Sequence, residues 1–152
     1  MFLEIKKATT EDVTRVVLLF DEYRKFYKQA SDMEAAADFL QERLAKNESV
    51  IFSAFVNETA VGFCQLFPIF SSVGLKRAWL LNDLYVNETA RGQGVAAALL
   101  QKAKEWGIKT NSGWLLLQTG ADNYTAQSVY EKNGWKKIDD FFYELPLTNL
   151  QA

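Results

Sequence analysis

A single α+β domain built around a central sheet is the fold class this sequence predicts, and three observations carry the prediction. At 152 residues the chain is long enough for one domain with a sizeable core. Hydrophobic residues make up 49% and charged residues 24% of it, an ordinary balance for a soluble globular protein. Strand-type and helix-type segments alternate from end to end, with no linker, repeat or low-complexity tract between them.

Phe2 to Lys6 reads as a short strand. Thr9 and Asp12 then form a capping box ahead of Val13, Val16, Val17, Phe20, Tyr23 and Tyr27, which recur at helical spacing. Ser31 with Glu34 predicts a second capping box and a helix through Phe39, Leu40 and Leu44 that ends near Asn47. Val50–Val56 and Ala60–Phe67, joined by Asn57-Glu58-Thr59, predict a hairpin. Pro68 should end or bulge its second strand, because proline has no N–H to give to a ladder. Ser71 to Arg77 reads as a loop and Ala78 to Val86 as the next strand. After Gly92 a helix places Val95, Ala96, Leu99, Leu100, Ala103 and Trp106 on one face, and Gly107 closes it. Trp114 to Gln118 is a continuous apolar run, typical of a strand buried on both faces. Asn123 caps a further helix ending at Asn133-Gly134, and Trp135–Ile138 and Phe141–Leu145 are expected as two final strands.

The composition narrows the chemistry. Lys and Arg number 17 against 19 Asp and Glu, a net charge of −2 without a basic run, which argues against nucleic acid as a partner. The lone cysteine, Cys64, lies inside an apolar run and reads as a buried small hydrophobe rather than a nucleophile. No segment has the apolar length of a membrane span and the first residues lack the layout of a signal peptide, so a cytoplasmic protein without a membrane partner is expected. There is no histidine. That removes Ser-His-Asp and Cys-His catalysis and most zinc enzymes, leaves no metal expected, and hands any chemistry to carboxylates, tyrosines, lysines or water.

The stretch Leu84-Tyr85-Val86-Asn87-Glu88-Thr89-Ala90-Arg91-Gly92-Gln93-Gly94-Val95-Ala96 carries the strongest functional signal. A strand stops, a short polar loop with Arg91 and two glycines follows, and a helix begins at once. Such a loop presents unpaired backbone N–H groups and the positive end of a helix dipole, which together suit phosphate. Gly92 to Ala97 formally matches the dinucleotide pattern G-x-G-x-x-G/A, but five residues separate Val86 from Gly92 and the next strand ends in Gln118-Thr119-Gly120 rather than an acid. Glycines that merely permit a tight turn into a helix are the plainer alternative.

At this point the chain resembles the Gcn5-related N-acetyltransferase (GNAT) family, whose pyrophosphate loop Q/R-x-x-G-x-G/A is met by Arg91, Gly94 and Ala96. A second family pattern, N-x-x-A-x-x-x-Y-x-x-x-G-F/W, is met by Asn123, Ala126, Tyr130, Gly134 and Trp135. Asn123 and Tyr130 lie seven residues apart, about two helical turns, and so return to nearly one face. The resemblance implies a central, mostly antiparallel mixed sheet splayed at strands 4 and 5, flanked by about four helices, in one N-acetyltransferase domain over residues 1–152. It also implies acetyl-CoA as cosubstrate. Arg91, Gly92, Gln93, Gly94, Val95 and Ala96 would cradle the pyrophosphate, the backbones of Leu84, Tyr85 and Val86 would pair with the amide-bearing arm, and Asn123, Ala126, Tyr130 and Lys132 would flank it.

The reaction so implied moves an acetyl group to a primary amine by direct attack, with the phenol of Tyr130 donating a proton to the departing thiolate. The amine would belong to a small molecule such as a polyamine or amino acid, or to a peptide or protein. Tyr23, Tyr27 and Asn82 are the substrate-side candidates, with Phe26, Asp32 and the segment Phe67–Lys76 near them. Relatives of this kind often carry a glutamate just before D-L-Y/F-V, and here Asn82 stands in that place. Asp83 is the substitute base by chemistry, although strand alternation turns it away from Asn82, Leu84 and Val86 unless a bulge re-aims it. Dimers are common in the family, and the apolar C-terminal strands could pair across a two-fold axis. A non-catalytic acyl-CoA sensor or interaction module of the same fold is the competing reading, and Tyr130 is the residue that separates the two.

Overall fold

The computed structural model describes residues 2–148; the ends of the domain expected over 1–152, residue 1 and residues 149–152, lie outside them. Five strands and four helices follow in the order β1 (Leu3–Lys7), α1 (Val13–Phe26), α2 (Met33–Ala45), β2 (Val50–Val56), β3 (Thr59–Ser71), β4 (Lys76–Val86), α3 (Val95–Lys109), β5 (Leu115–Leu116) and α4 (Tyr124–Lys132). The strands form one sheet in sequence order, antiparallel from β1 to β4 and parallel between β4 and β5.

Two apolar clusters hold the layers together. On one face α1 and α2 cover Ile51 and Phe63 with Val16, Val17, Phe20, Ala36 and Leu40. On the other, Val95, Leu99, Leu100 and Ala103 of α3 cover Phe52, Cys64, Leu66, Trp79 and Leu81. Cys64 is fully buried and its thiol is pushed up to about 12 by that burial, so it is an inert packing group, as its place in the apolar run predicts.

Local signals explain most boundaries. Thr9 and Asp12 form the expected capping box, closing a 3₁₀ turn at Thr10–Asp12 that runs into α1. Asn57 and Glu58 both take positive φ, the two-residue turn whose twist matches a hairpin. The second predicted cap is displaced by one residue. The Ser31 hydroxyl donates to Asp21 of α1 at 2.6 Å, so Asp32 caps α2 by accepting from Ala35 N–H at 3.1 Å.

Four expectations are corrected. β3 does not end at Pro68 but continues to Ser71, and the expected Ser71–Arg77 loop shrinks to a tight turn. The β2 ladder stops at Leu66, and opposite Pro68 the Trp79 N–H turns outward to the Trp114 carbonyl, so the missing proline N–H faces no strand. Gly107 does not close α3, which runs on to Lys109; a Cβ there would lie 3.1 Å from Leu115, so glycine lets β5 approach the helix. The apolar run Trp114–Gln118 yields only a two-residue, half-buried strand, because nothing pairs with its outer edge. Trp135–Ile138 and Phe141–Leu145 are not strands either, and Phe141, Tyr143 and Leu145 stand exposed at 86%, 95% and 80%.

At Gly62 of β3 a Cβ would stand 2.8 Å from the Tyr85 carbonyl oxygen and 3.3 Å from Val95. Gly62→Ala must therefore push β4 and α3 away from β3, and a loss of about 2 kcal/mol, within the range for overpacked cores, is expected from urea unfolding.

Candidate active site

The site opens where β4 and β5 part. Their pairing covers only Trp79 with Leu115 and Leu80 with Leu116, after which β4 runs on to Val86 with that edge free of β5. This is the splay the sequence resemblance implies. The gap, bounded by α1, α3 and α4, encloses a cleft of about 680 Å³.

One end of the cleft is built for an anion. Gly92 and Gly94 take φ of 77° and 81°, and a Cβ on either would meet nothing within 4 Å. Backbone conformation, and not lack of space, is what calls for glycine there. No side chain caps α3, whose ladder begins with the Ala98 N–H bonded to the Gly94 carbonyl at 3.1 Å. The amides ahead of Ala98 are thus left outside the helical ladder, at the positive end of the dipole. Arg91 folds back, its Nε donating to the Val86 carbonyl at 3.0 Å and its guanidinium lying 5.9 Å from the Tyr85 ring centre.

Of the expected cofactor residues, Leu84, Tyr85, Val86, Arg91, Gly92, Gly94, Val95, Ala96, Asn123, Ala126, Tyr130 and Lys132 all line this cleft. Gln93 does not; its amide turns back toward the Thr89 carbonyl at 3.4 Å. Asn123 caps α4, its Oδ1 accepting from Ala126 N–H at 3.2 Å. Tyr130, about two turns along the same helix, is half-buried beside the Trp135 ring at 6.1 Å between centres. Burial, with the Tyr27 hydroxyl near it, raises the Tyr130 phenol above its ordinary value, which keeps the proton on oxygen.

The opposite end is aromatic. Tyr23 and Phe26 of α1 and Tyr27, which caps its end, line the cleft, Tyr23 and Tyr27 packed edge to face at 5.1 Å and Phe26 and Tyr27 at 5.4 Å. Asn82 completes that wall. The ladder steps from Gln65↔Asp83 to Leu66↔Leu81, so Asn82 is a bulge residue without a cross-strand partner. The bulge reverses the phase of β4: Leu81 packs on the α3 side together with Leu84 and Val86. It re-aims Leu81 and leaves Asp83 on the α1 side.

Asp83 therefore does not line the cleft. It is 6% exposed, and Gln65 Nε2 at 2.7 Å and Asn82 Nδ2 at 3.1 Å donate to its two oxygens. The Tyr23 hydroxyl faces the same carboxyl from α1, a looser contact than the two amide bonds. Gln65 is itself fully buried and accepts from the Ser49 hydroxyl at 2.7 Å. Gln65 is not among the residues the sequence motifs single out; its one signal is a lone amide in the apolar run Phe63-Cys64-Gln65-Leu66-Phe67. Nor do those motifs single out Glu22, which accepts from the Tyr85 hydroxyl at 3.2 Å and the Asn87 amide at 3.4 Å and so pins the wall. Asp32, spent on its helix cap, and the Phe67–Lys76 segment stand outside the cleft.

Comparison with known proteins agrees with this geometry. The model of the acetyltransferase (GNAT) family matches residues 16–135, and the chain belongs to that family. It is 43% identical over 141 residues to the uncharacterized N-acetyltransferase YhfO of Bacillus subtilis (strain 168), covering 93% of this chain and 95% of that protein. A protein of Haemophilus influenzae named "Probable acetyltransferase" is 37% identical over 135 residues, covering 88% and 90%. A crystal structure of a "probable acetyltransferase" superposes with a TM-score of 0.91 at 44% identity, covering 96% of this chain and 99% of that one. The chain is thus an acetyltransferase of the GNAT family. Among the described residues no helix is long and apolar enough to cross a membrane.

Burial raises the Asp83 carboxyl above its ordinary value of 3.8, against the pull of its hydrogen bonds. The folded state then holds this proton more tightly than the unfolded chain. Its contribution to stability is complete below the unfolded value and is lost as pH rises through the folded value. Asp83→Asn cannot ionise, so the stability of the variant relative to the parent is expected to climb as pH rises from about 4 and then level off. Urea midpoints across that range measure it; a difference that falls with pH would show the opposite sign.

Proposed function

We propose that this protein transfers the acetyl group of acetyl-CoA to a primary amine by direct attack, with Tyr130 as general acid. One observation carries the reading: a single cleft joins the open glycine loop at the start of α3, the unpaired edge of β4 and the Tyr130 phenol. Family membership supports acetyl-CoA as the donor.

The residues present fit that cosubstrate. Open, left-handed Gly92 and Gly94 leave the α3 amides approachable by a pyrophosphate, Arg91 brings cationic charge in the same loop, and Lys132 adds a second cation to the lining of the cleft. The free edge of β4 at Leu84–Val86 offers backbone groups to the amides of the pantetheine arm. This orientation directs the thioester toward Tyr130, at the junction with the aromatic end. A phenol held neutral by burial can protonate a thiolate as the carbon–sulfur bond breaks.

The acceptor end supports an amine carried on a compact cation. Tyr23, Phe26 and Tyr27 offer ring faces, which attract ammonium groups. Among the described residues no carboxylate lines the cleft to bind that ammonium directly. The acceptor classes open to it are a polyamine, an amino acid, and a peptide or protein amine.

Tyr130→Phe is expected to cut kcat by about 100-fold, the lower range for loss of a general acid, with CoA affinity unchanged by calorimetry. Full activity in this variant would instead favour a sensor or interaction role for the CoA site. Gly94→Val forces a β-branched residue to a φ of 81° and is expected to weaken CoA binding at least tenfold while the melting of the variant stays cooperative.

A further inference from the structure

We propose that Tyr23 is a catalytic proton relay, passing a proton from the acceptor amine to Asp83 behind the cleft wall. The inference rests on the acetyl-transfer reading above and supplies the base that reading lacks. Asn82, which occupies the position of the family's glutamate, cannot accept a proton usefully, and among the described residues no Asp or Glu lines the cleft.

Asp83 is walled off from the cleft, although the cleft-lining Asn82 is hydrogen-bonded to it. Tyr23 and Asn82 both touch the two compartments: Asn82 lines the cleft and donates its amide to Asp83 at 3.1 Å, and Tyr23 lines the acceptor end with its hydroxyl, the one O–H of the two, facing the same carboxyl. The phenol is locked for this task. Its ring packs against Phe20, Phe63 and Tyr85, at 6.5, 5.7 and 6.0 Å between centres. Asp83 is locked as well, by Gln65 and Asn82, with Ser49 fixing the Gln65 amide. A buried carboxylate held by two amides and faced by a cleft-lining phenol needs a reason beyond packing, because removing a carboxylate from water costs free energy.

The proton accounting closes. The bound ammonium gives one proton to the Tyr23 oxygen as the Tyr23 proton moves to Asp83, leaving a neutral amine and a carboxylic acid. The amine lone pair forms the carbon–nitrogen bond at the thioester carbonyl, the carbon–sulfur bond breaks, and the leaving thiolate takes the proton of Tyr130. The remaining extra proton on nitrogen returns to the Tyr130 oxygen, and the proton on Asp83 leaves through Tyr23 to solvent. The titratable groups facing the pair are Tyr27 of α1, Tyr130 of α4, and Tyr85 and Cys64 of the sheet, with no cation among them. Burial raises Asp83, which makes its carboxylate a better proton acceptor than an exposed one.

The test uses Tyr23→Phe, Asp83→Asn and the double variant, with acetyl-CoA and four probe amines: spermidine, kanamycin, free lysine and a peptide beginning with alanine. At pH 7 each single variant should lose about 100-fold in kcat/KM, the lower range for general-base loss. The double variant should lose no more than the worse single, as expected of groups acting in series. The pH profile separates a relay from a structural role. Without the relay only free amine reacts, so the deficit should shrink by about tenfold per pH unit toward the pKa of the amine. CoA binding and melting temperature monitor folding. A Tyr23→Phe enzyme with the parent's profile, or losses that multiply in the double variant, would overturn the relay and leave acetyl transfer standing. A parent that acetylates none of the four probes would overturn the transfer reading and the relay with it.

Discussion

The site depends on one constraint: β4 and β5 are hydrogen-bonded for two residues and then separate. A fully zipped parallel pair would bury the edge of Leu84–Val86 and leave no space between α3 and α4. Because the pairing stops at Leu80, β4 reaches Val86 with backbone groups facing a cavity, and the loop from Val86 to Gly94 turns directly into α3. Anion end, free strand edge and Tyr130 are all consequences of that separation.

The second constraint is the bulge at Asn82. It gives β4 two halves of opposite phase, one packing Trp79 and Leu81 on the α3 layer and the other packing Leu84 and Val86 there. Leu81 gains a buried place, and Asn82 is released to the cleft wall. Asp83 stays under α1 with Gln65 and Tyr23, among polar groups that satisfy it.

Much of this was legible in the sequence, where local physics decides the outcome. Helix periodicity, the Thr9–Asp12 box, the Asn57-Glu58 turn and the two glycines ahead of α3 depend on neighbouring residues only, and each appears as expected. The Asn123–Tyr130 spacing placed both side chains on one cleft for the same reason. What escaped depends on partners distant in the chain. Pro68 is tolerated because the β2 ladder has already ended. The run after Trp114 stays short because no strand pairs with its outer edge. Ser31 lost its cap to Asp21 of the preceding helix. Gln65 matters through its register with Asp83, which the spacing of a single strand does not reveal.

The fastening of β5 has a mechanical consequence. Gly113 N–H bonds to the Arg77 carbonyl at 2.7 Å, Trp79 N–H to the Trp114 carbonyl at 3.2 Å, and the Trp79 indole to Thr110 at 3.0 Å. Every one of these ties lies at the base of the strand, and none reaches Gln118 or Thr119 on the cleft rim. The two strands are therefore the arms of a pair of tongs with a pivot at Trp79. The free tips, Gln118 and Thr119 on one arm and Leu84–Val86 on the other, line the cleft, so the fastening around the Trp79 indole fixes the end from which the cleft widens.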